Sequence, residues 1–280
     1  MWIGNGIGIG ARSPIGALTP YVGLLDTYTG AAAAYSLRQL SSTYTGSAIR
    51  VRRASDNAEQ DIGFSNNELD TTSLASFCSG TNGFVTTWYD QSGNGYNATQ
   101  TTAANQPQIV SSGSVLIQGS KPTLRFDGSN DFMDASGVTT GNPKSIFLAS
   151  KFESLSTSEK VIFDSISTNQ ALLYKASNNT ITIGFGSFSP SSYTATTNYI
   201  LYSILHNGST SNAYVNSSTQ VYTNQNLGTN AFNGLRIGAV RGTASLFYNG
   251  NIPEFVVWGS DQSSNRTGIE SNINDFYSIY

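Results

Sequence analysis

Short stretches of alternating apolar and polar residues recur along most of the chain and predict a protein built mainly of β-strands. Clusters of Gly, Asn and Ser separate them, and Asn178-Asn179 and Asn207-Gly208 have the composition of hairpin turns. Many short strands at intervals of roughly 8–12 residues are typical of a sandwich or a barrel. The predicted strands are 48–53, 84–89, 122–127, 145–152, 160–164, 171–176, 180–185, 199–205, 212–216, 234–238, 245–248 and 252–258.

Three segments carry helical signals instead. A run of four alanines follows Thr29, a possible N-cap, and predicts a helix over 31–41. Asp70 is placed to cap a second short helix, in which Leu74 and Cys78 share a face. A third helix is predicted over about 263–277, where apolar residues recur at helical spacing.

The composition narrows the class of protein. Only 11 % of the 280 residues are charged, whereas Ser, Thr, Asn and Gly number 40, 29, 26 and 28. Such a chain is unlike a coiled coil or a helical bundle, and its aromatic residues can fill a sizeable core. A net charge of −3 argues against nucleic acid as a partner. A surface of hydroxyls and amides suits either carbohydrate or dense protein packing.

Residues 1–25 are rich in glycine and predict an extended N-terminal arm, followed by one domain over 26–280. The arm has neither the basic nor the apolar region of a secretory signal, and no run is long enough to span a membrane. With Cys78 as the only cysteine, no internal disulfide is possible. The apolar residues of the arm are candidate assembly contacts: Trp2, Ile3, Ile7, Ile9, Ile15 and Leu18.

The segment 88–95 holds the candidate ligand-binding residues. An aromatic pair followed by Asp and amide side chains is a pattern that can bind a sugar. On a strand Trp88 and Tyr89 point to opposite faces, so one of them is expected in the core. Asp90 is expected to stabilise the glycine-rich turn through backbone N–H groups. The full set of weak candidates is Trp88, Tyr89, Asp90, Gln91 and Asn94.

No metal site or cofactor is predicted. Asp127, Asp131 and Asp134 form an acidic cluster without the spacing of a calcium loop, so a turn between strands is the favoured interpretation. His206 is the only histidine, which gives poor support to a zinc site or a Ser-His-Asp triad.

A resemblance to a known family rests on several motifs in order. They are Ala34-Tyr-Ser-Leu-Arg38, Ile49-Arg-Val-Arg-Arg-Ala-Ser-Asp56, Asp61-Ile-Gly63, Phe77-Cys78 and Trp88-Tyr-Asp-Gln-Ser-Gly-Asn-Gly95. Together they resemble the N-terminal half of the catalytic domain of arabinofuranosidase B. More loosely, Leu124-Arg-Phe-Asp-Gly128 and the segment 235–254 resemble laminin-G and concanavalin-type modules, including those of phage structural proteins. The resemblance implies an all-β concanavalin/laminin-G-like jelly-roll sandwich with a few short helices.

The same resemblance implies a retaining glycosidase, which needs two carboxyl groups. The position of the family's nucleophilic Glu falls near Asn169, after Phe163-Asp164. The position of its acid/base Asp falls in Gly238-Ala-Val-Arg-Gly242, which has no carboxylate. The family's disulfide partner of Cys78 falls at Gly83. No catalytic residue is therefore assigned, and Asp164 and Glu254 are the least poor candidates for relocated carboxylates.

These observations lead to the prediction of a non-catalytic structural protein of a phage virion: a capsid decoration, a head fibre or a tail-attached module, with capacity for a host-surface glycan. The expected partners are other virion proteins, reached through the arm, and copies of the chain itself; the expected place is the virion after synthesis in the host cytoplasm. The alternatives are an arabinofuranosidase-like glycoside hydrolase and a cell-surface lectin module.

Overall fold

The computed structural model describes residues 20–166, 170–242 and 244–280. The assembly candidates of the arm and Asn169 lie outside these residues. Three helices are present in the described part: α1 (Leu24–Thr27), α2 (Thr71–Phe77) and α3 (Arg266–Tyr277). None of the described helices is both long and apolar enough to cross a bilayer.

Twelve strands form the first half of the described chain. They are β1 (Ala31–Ser36), β2 (Ile49–Arg53), β3 (Glu59–Ile62), β4 (Phe64–Ser65), β5 (Glu68–Leu69), β6 (Gly83–Trp88), β7 (Ala98–Thr99), β8 (Gln108–Ser111), β9 (Ser114–Val115), β10 (Ile117–Gln118), β11 (Lys121–Pro122) and β12 (Leu124–Asp127).

Longer strands dominate the second half. They are β13 (Met133–Thr140), β14 (Lys144–Phe152), β15 (Lys160–Ser165), β16 (Leu172–Lys175), β17 (Thr180–Gly184), β18 (Phe188–Thr194), β19 (Ile200–His206), β20 (Ser211–Val215), β21 (Thr219–Gln225), β22 (Phe232–Ile237) and β23 (Asn249–Trp258).

The strands pair antiparallel in two layers. In the back layer β23 pairs with β1, β12 and β14, and β14 continues through β19 and β20 to β21. In the front layer β13 pairs with β22, and β22 continues through β15, β16 and β17 to β18. Phe163 of the front layer and Phe255 of the back layer meet in the core with ring centroids 5.2 Å apart. The predicted all-β jelly-roll type of sandwich is therefore confirmed.

Alternation along β14 and β23 gives the back layer two apolar faces. Ile146 and Leu148 point into the main core, whereas Phe147 points outward with Trp258. Helices α1 and α3 cover this outer face through residues such as Leu24 and Ile273. This second apolar layer explains why β23 is buried from its second to its last residue.

The helix predictions were right for two segments and wrong for one. Asp70 is the N-cap of α2, and its side chain accepts the backbone N–H of Ser73 at 3.0 Å. Helix α3 lies where the third helix was predicted. The predicted helix over 31–41 is instead strand β1, in register with β23 from Ala31↔Trp258 to Ser36↔Glu254. The preference of alanine for a helix is weak, and here pairing with the edge of β23 overrides that preference.

Candidate functional site

Asp90 is the centre of the turn that follows β6. It is 4 % exposed, and its carboxylate accepts the backbone N–H groups of Ala34, Ser92 and Tyr96 at 2.9–3.0 Å, together with the Ser92 hydroxyl at 2.8 Å. These donors occupy both carboxylate oxygens. The structure thus places Asp90 in the role expected for a turn residue.

The other residues of this segment face different directions. Trp88 is fully buried against Tyr35, whereas the Tyr89 hydroxyl donates to Asp61 at the surface. Gln91 is held by Ser36, Arg38 and Leu40 backbone groups, and Asn94 donates to the carbonyls of Ala31 and Ala32. Gln91 also lines an open cavity of about 310 Å³ with Ser92 and Gly93. Ligand binding by this segment stays a prediction.

The two carboxylates considered for catalysis, Asp164 and Glu254, lie on opposite outer faces of the sandwich. Asp164 comes directly after the core residue Phe163, and Glu254 comes directly before the core residue Phe255. Because neighbouring side chains of a strand point to opposite faces, both carboxylates point away from the core and away from each other. They cannot act on the same glycosidic bond.

Glu254 is a structural group. Arg38 donates to it from two nitrogens, and the Ser36 and Tyr277 hydroxyls contact the same carboxylate at 2.7 and 3.2 Å. Burial raises the pKa of the Tyr277 hydroxyl well above its usual value, and the Glu254 charge adds to this shift. Both groups are therefore buried between β23 and α3.

Asp164 ties two loops to the front layer. Its carboxylate accepts the backbone N–H groups of Ser165, Ala171 and Arg241 at 2.7–3.1 Å. The Arg241 guanidinium lies 3.5 Å away. Burial raises the pKa of Asp164, while these N–H donors and Arg241 oppose the rise. Asp164 is fully buried and holds the segments around 171 and 241 in place.

Those two segments border an apolar groove on the outer face of the front layer, with a volume of about 200 Å³. Tyr174 and Phe188 supply aromatic walls, and Glu159 is the one carboxylate among the described residues that lines it. The complete lining is Glu159, Val161, Gln170, Leu172, Tyr174, Phe188, Val240 and Leu246. The groove therefore has aromatic walls and, among the described residues, only one carboxyl group.

The acidic cluster is split by the structure. Asp134 accepts from Arg236 Nε and Nη2 at 2.7 and 2.8 Å, in an ion pair of the front layer in which Arg236 is buried and Asp134 is half-buried. Asp127 and Asp131 instead line a separate cleft of about 270 Å³, which also contains Arg125. Among the described residues, no group of three or more His, Cys, Asp or Glu could hold a metal ion.

His206 is a buried partner of Lys144. The Lys144 ammonium nitrogen lies 3.0 Å from His206 Nδ1 and donates to the Asn230 carbonyl at 2.9 Å. His206 Nε2 donates to the Gly228 carbonyl at 2.8 Å, which leaves Nδ1 to accept from Lys144. Burial lowers the pKa of Lys144 to about 7 and that of His206 to about 4, the latter also by the charge of Lys144. This pair was not foreseen from the sequence, because 62 residues separate its members.

Comparison with known proteins finds one matching family model and several solved structures of similar fold. The model of the family described as "Alpha-L-arabinofuranosidase B, catalytic" matches residues 26–123. No curated protein matches the chain.

Three solved arabinofuranosidase structures are similar in fold. A GH54 α-L-arabinofuranosidase variant soaked with 4-nitrophenyl α-L-arabinofuranoside has a TM-score of 0.73 at 15 % identity, over 90 % of this chain and 65 % of that one. An arabinofuranosidase complexed with arabinofuranosyl-α-1,2-xylobiose has 0.66 at 17 %, over 90 % and 64 %. A GH54 enzyme soaked with a cyclic sulfate inhibitor has 0.68 at 16 %, over 90 % and 65 %. The chain thus spans less than two thirds of the length of these proteins.

These matches overturn the prediction of a non-catalytic phage virion protein. They are matches to glycoside hydrolases, and none is to a phage structural module. The prediction that the chain is not an enzyme is contradicted with it. Both rested in part on missing carboxylates at two motif positions, near Asn169 and in 238–242.

Proposed function

We propose that the chain is a glycoside hydrolase of the arabinofuranosidase type, with α-L-arabinofuranosides as its substrate class. The family match over residues 26–123 is the observation that carries this proposal. It is supported by the similarity of fold to three arabinofuranosidases, which extends over 90 % of the chain.

Features of the described surface agree with a sugar substrate. Furanose rings present apolar C–H edges and several hydroxyls, so they bind where aromatic rings and planar polar side chains are close together. Tyr174, Phe188 and Gln170 provide this combination in the groove, and Phe84, Gln106 and Arg125 provide it in the cleft. The low fraction of charged residues in the chain, 11 %, also suits a neutral polymer as substrate.

The test is the release of 4-nitrophenol from 4-nitrophenyl α-L-arabinofuranoside by the purified chain. We expect saturable turnover well above the rate in buffer, and little turnover of 4-nitrophenyl β-D-galactopyranoside. Circular dichroism with a strand spectrum and a cooperative melt establishes that the protein assayed is folded. A folded protein that releases no nitrophenol between pH 4 and pH 8 would refute the proposal.

A further inference from the structure

Two open cavities of the surface share one aromatic side chain, Tyr44, which lies between β1 and β2. The first is the cavity of Gln91, with a volume of about 310 Å³. The second has a volume of about 350 Å³ and includes Phe64. Both volumes are in the size range of small-molecule pockets. Because Tyr44 lines both, the two cavities are neighbours on either side of this residue.

The lining of these two cavities carries no charge. It consists of hydroxyl, amide, aliphatic and aromatic side chains and of four glycines. The groove, in contrast, contains Glu159, and the cleft contains Arg125 and two aspartates. An ionic ligand loses its hydration on binding and needs an opposite charge in return, so an uncharged lining favours a neutral ligand.

The Tyr44 ring is held in place by its own segment. Its hydroxyl donates to the Ser47 carbonyl at 2.9 Å, and its carbonyl accepts from Gln39 Nε2 at 2.9 Å. The ring meets Phe64 edge-on, with centroids 6.3 Å apart. A Cβ at Gly46 would lie 2.5 Å from the Tyr44 hydroxyl oxygen, so a glycine is needed there to leave room for the ring. A ring fixed in advance lowers the entropy cost of binding a ligand.

Polar groups around the ring are available to a ligand. Within the described part of the chain, the hydroxyls of Thr29, Thr45 and Ser47 have no hydrogen-bond partner. The same is true of Gln39 Oε1, whose amide nitrogen donates to two carbonyls. Thr29 belongs to the first cavity, and the other three residues belong to the second. Hydroxyls that donate and accept match the hydroxyls of a sugar, while an aromatic ring covers its C–H face.

We infer that Tyr44 and its two cavities bind neighbouring sugar residues of a neutral polysaccharide, at a site separate from the groove and from the cleft. None of the residues that line the two cavities lines either of those. The choice of polymer rests on the proposed function and is one that carries α-L-arabinofuranosyl residues. Holding such a chain at one point raises the local concentration of its other residues at the hydrolytic site.

Affinity electrophoresis in native gels that contain arabinan or arabinoxylan measures this binding independently of turnover. Both polymers should retard the native chain, whereas the anionic polymer polygalacturonate should not. Tyr44→Ala removes the aromatic anchor and should raise the Kd from such gels about 10-fold or more. Tyr44→Phe keeps the ring and loses only the hydroxyl, so its Kd should stay within about 3-fold of the native value.

Gly63→Leu tests the second cavity without removing Tyr44. Gly63 lines this cavity, has no positive φ, and has nothing within 4 Å of an added Cβ. A leucine side chain can therefore occupy part of the cavity while the backbone is unchanged, and it should weaken binding of both polymers. Tyr280→Ala is the matched control, since it removes an exposed aromatic ring that lines neither cavity, and it should bind like the native chain. Cooperative melting establishes that each variant is folded, and Gly63→Leu provides the test if Tyr44→Ala does not fold.

Native retardation of both Tyr44→Ala and Gly63→Leu would overturn the inference. So would a native chain that neither polymer retards, or one that polygalacturonate retards equally. A native chain that hydrolyses 4-nitrophenyl α-L-arabinofuranoside but is not retarded refutes the inference and leaves the proposed function standing. A native chain that is retarded but has no turnover refutes only the proposed function.

Discussion

Arg38 and Glu254 face each other as a two-point ion pair beneath α3. Arg38 Nε donates to Oε2 at 2.8 Å and Nη2 donates to Oε1 at 2.9 Å, and the two side chains are only 6 % and 1 % exposed. The pair connects the end of β1 to the middle of β23, and the Tyr277 hydroxyl extends the network to α3. Removing one partner of such a pair leaves a buried charge without compensation.

Glu254→Gln should therefore lower the free energy of unfolding by about 3 kcal/mol. The double variant Arg38→Met with Glu254→Leu should recover much of this loss, because neither charge is then buried alone. Urea unfolding followed by tryptophan fluorescence gives both values. Activity per folded molecule should not change, since Glu254 lines neither the groove nor the cleft. A Glu254→Gln protein of native stability would contradict this interpretation.

The Asp90 turn gives a second prediction about stability. In Asp90→Ala, the backbone N–H groups of Ala34 and Tyr96 lose their acceptor next to a buried strand. Each unsatisfied donor costs about 1–3 kcal/mol, so the total loss should be at least about 2 kcal/mol. Amide exchange measured by NMR should accelerate at Ala34 and Tyr96. Asp261→Ala, which removes one exposed acceptor, should change stability by less than about 1 kcal/mol.

The Lys144–His206 contact predicts a pH dependence of stability. The pKa of Lys144 is about 7 in the folded protein and 10.5 in an unfolded chain. Between these values the unfolded chain holds a proton that the folded protein lacks. Stability should therefore rise with pH from about 7 upward, by at most about 1.4 kcal/mol for each pH unit.

Lys144→Met removes this titrating group from the same buried position. We expect the stability difference between native and variant protein to shift in favour of the native protein by more than about 1 kcal/mol between pH 7 and pH 9. Urea unfolding at pH 7, 8 and 9 measures this difference, and a pH no higher than 9 avoids the titration of tyrosines. Parallel stability profiles for the two proteins would show that Lys144 is not the group responsible.

Local signals in the sequence were enough for much of the fold. Asp70 was recognised as a helix cap because capping depends on a residue only three positions away, and the opposite directions of Trp88 and Tyr89 follow from strand geometry alone. The Ala31–Ala34 segment was mispredicted because its state depends on β23, more than 200 residues later. Local preference cannot report such a partner.

The candidate site was harder to predict from the sequence, for the same reason. Asp127, Asp131 and Asp134 are close in sequence, but only Asp134 forms an ion pair with Arg236. This arginine lies 102 residues away in the chain. The cleft also needs Phe84 and Gln106 from other strands and turns. The surroundings of these carboxyl groups therefore depend on three-dimensional packing, which neighbouring residues of the sequence do not report.

Gly83 and Cys78 provide the last prediction, since the family resemblance had placed a disulfide partner at Gly83. A Cβ built on Gly83 lies 2.7 Å from Cys78 Sγ, close to the separation of about 3 Å that a disulfide requires between these two atoms. Gly83→Cys should therefore form a disulfide with Cys78 under oxidising conditions. The short loop that it closes should add about 2 kcal/mol of stability, reduced by crowding against Val51 and Val110, 3.1 Å away.

Thiol titration of the denatured protein and melting curves with and without reductant test this bond. The oxidised Gly83→Cys protein should show no free thiol and should lose its added stability when reduced. Gly63→Cys is the matched control, because nothing lies within 4 Å of a Cβ at Gly63, and it should show two free thiols. Two titratable thiols in oxidised Gly83→Cys would mean that Cys78 and residue 83 do not face each other across the end of α2 and the start of β6.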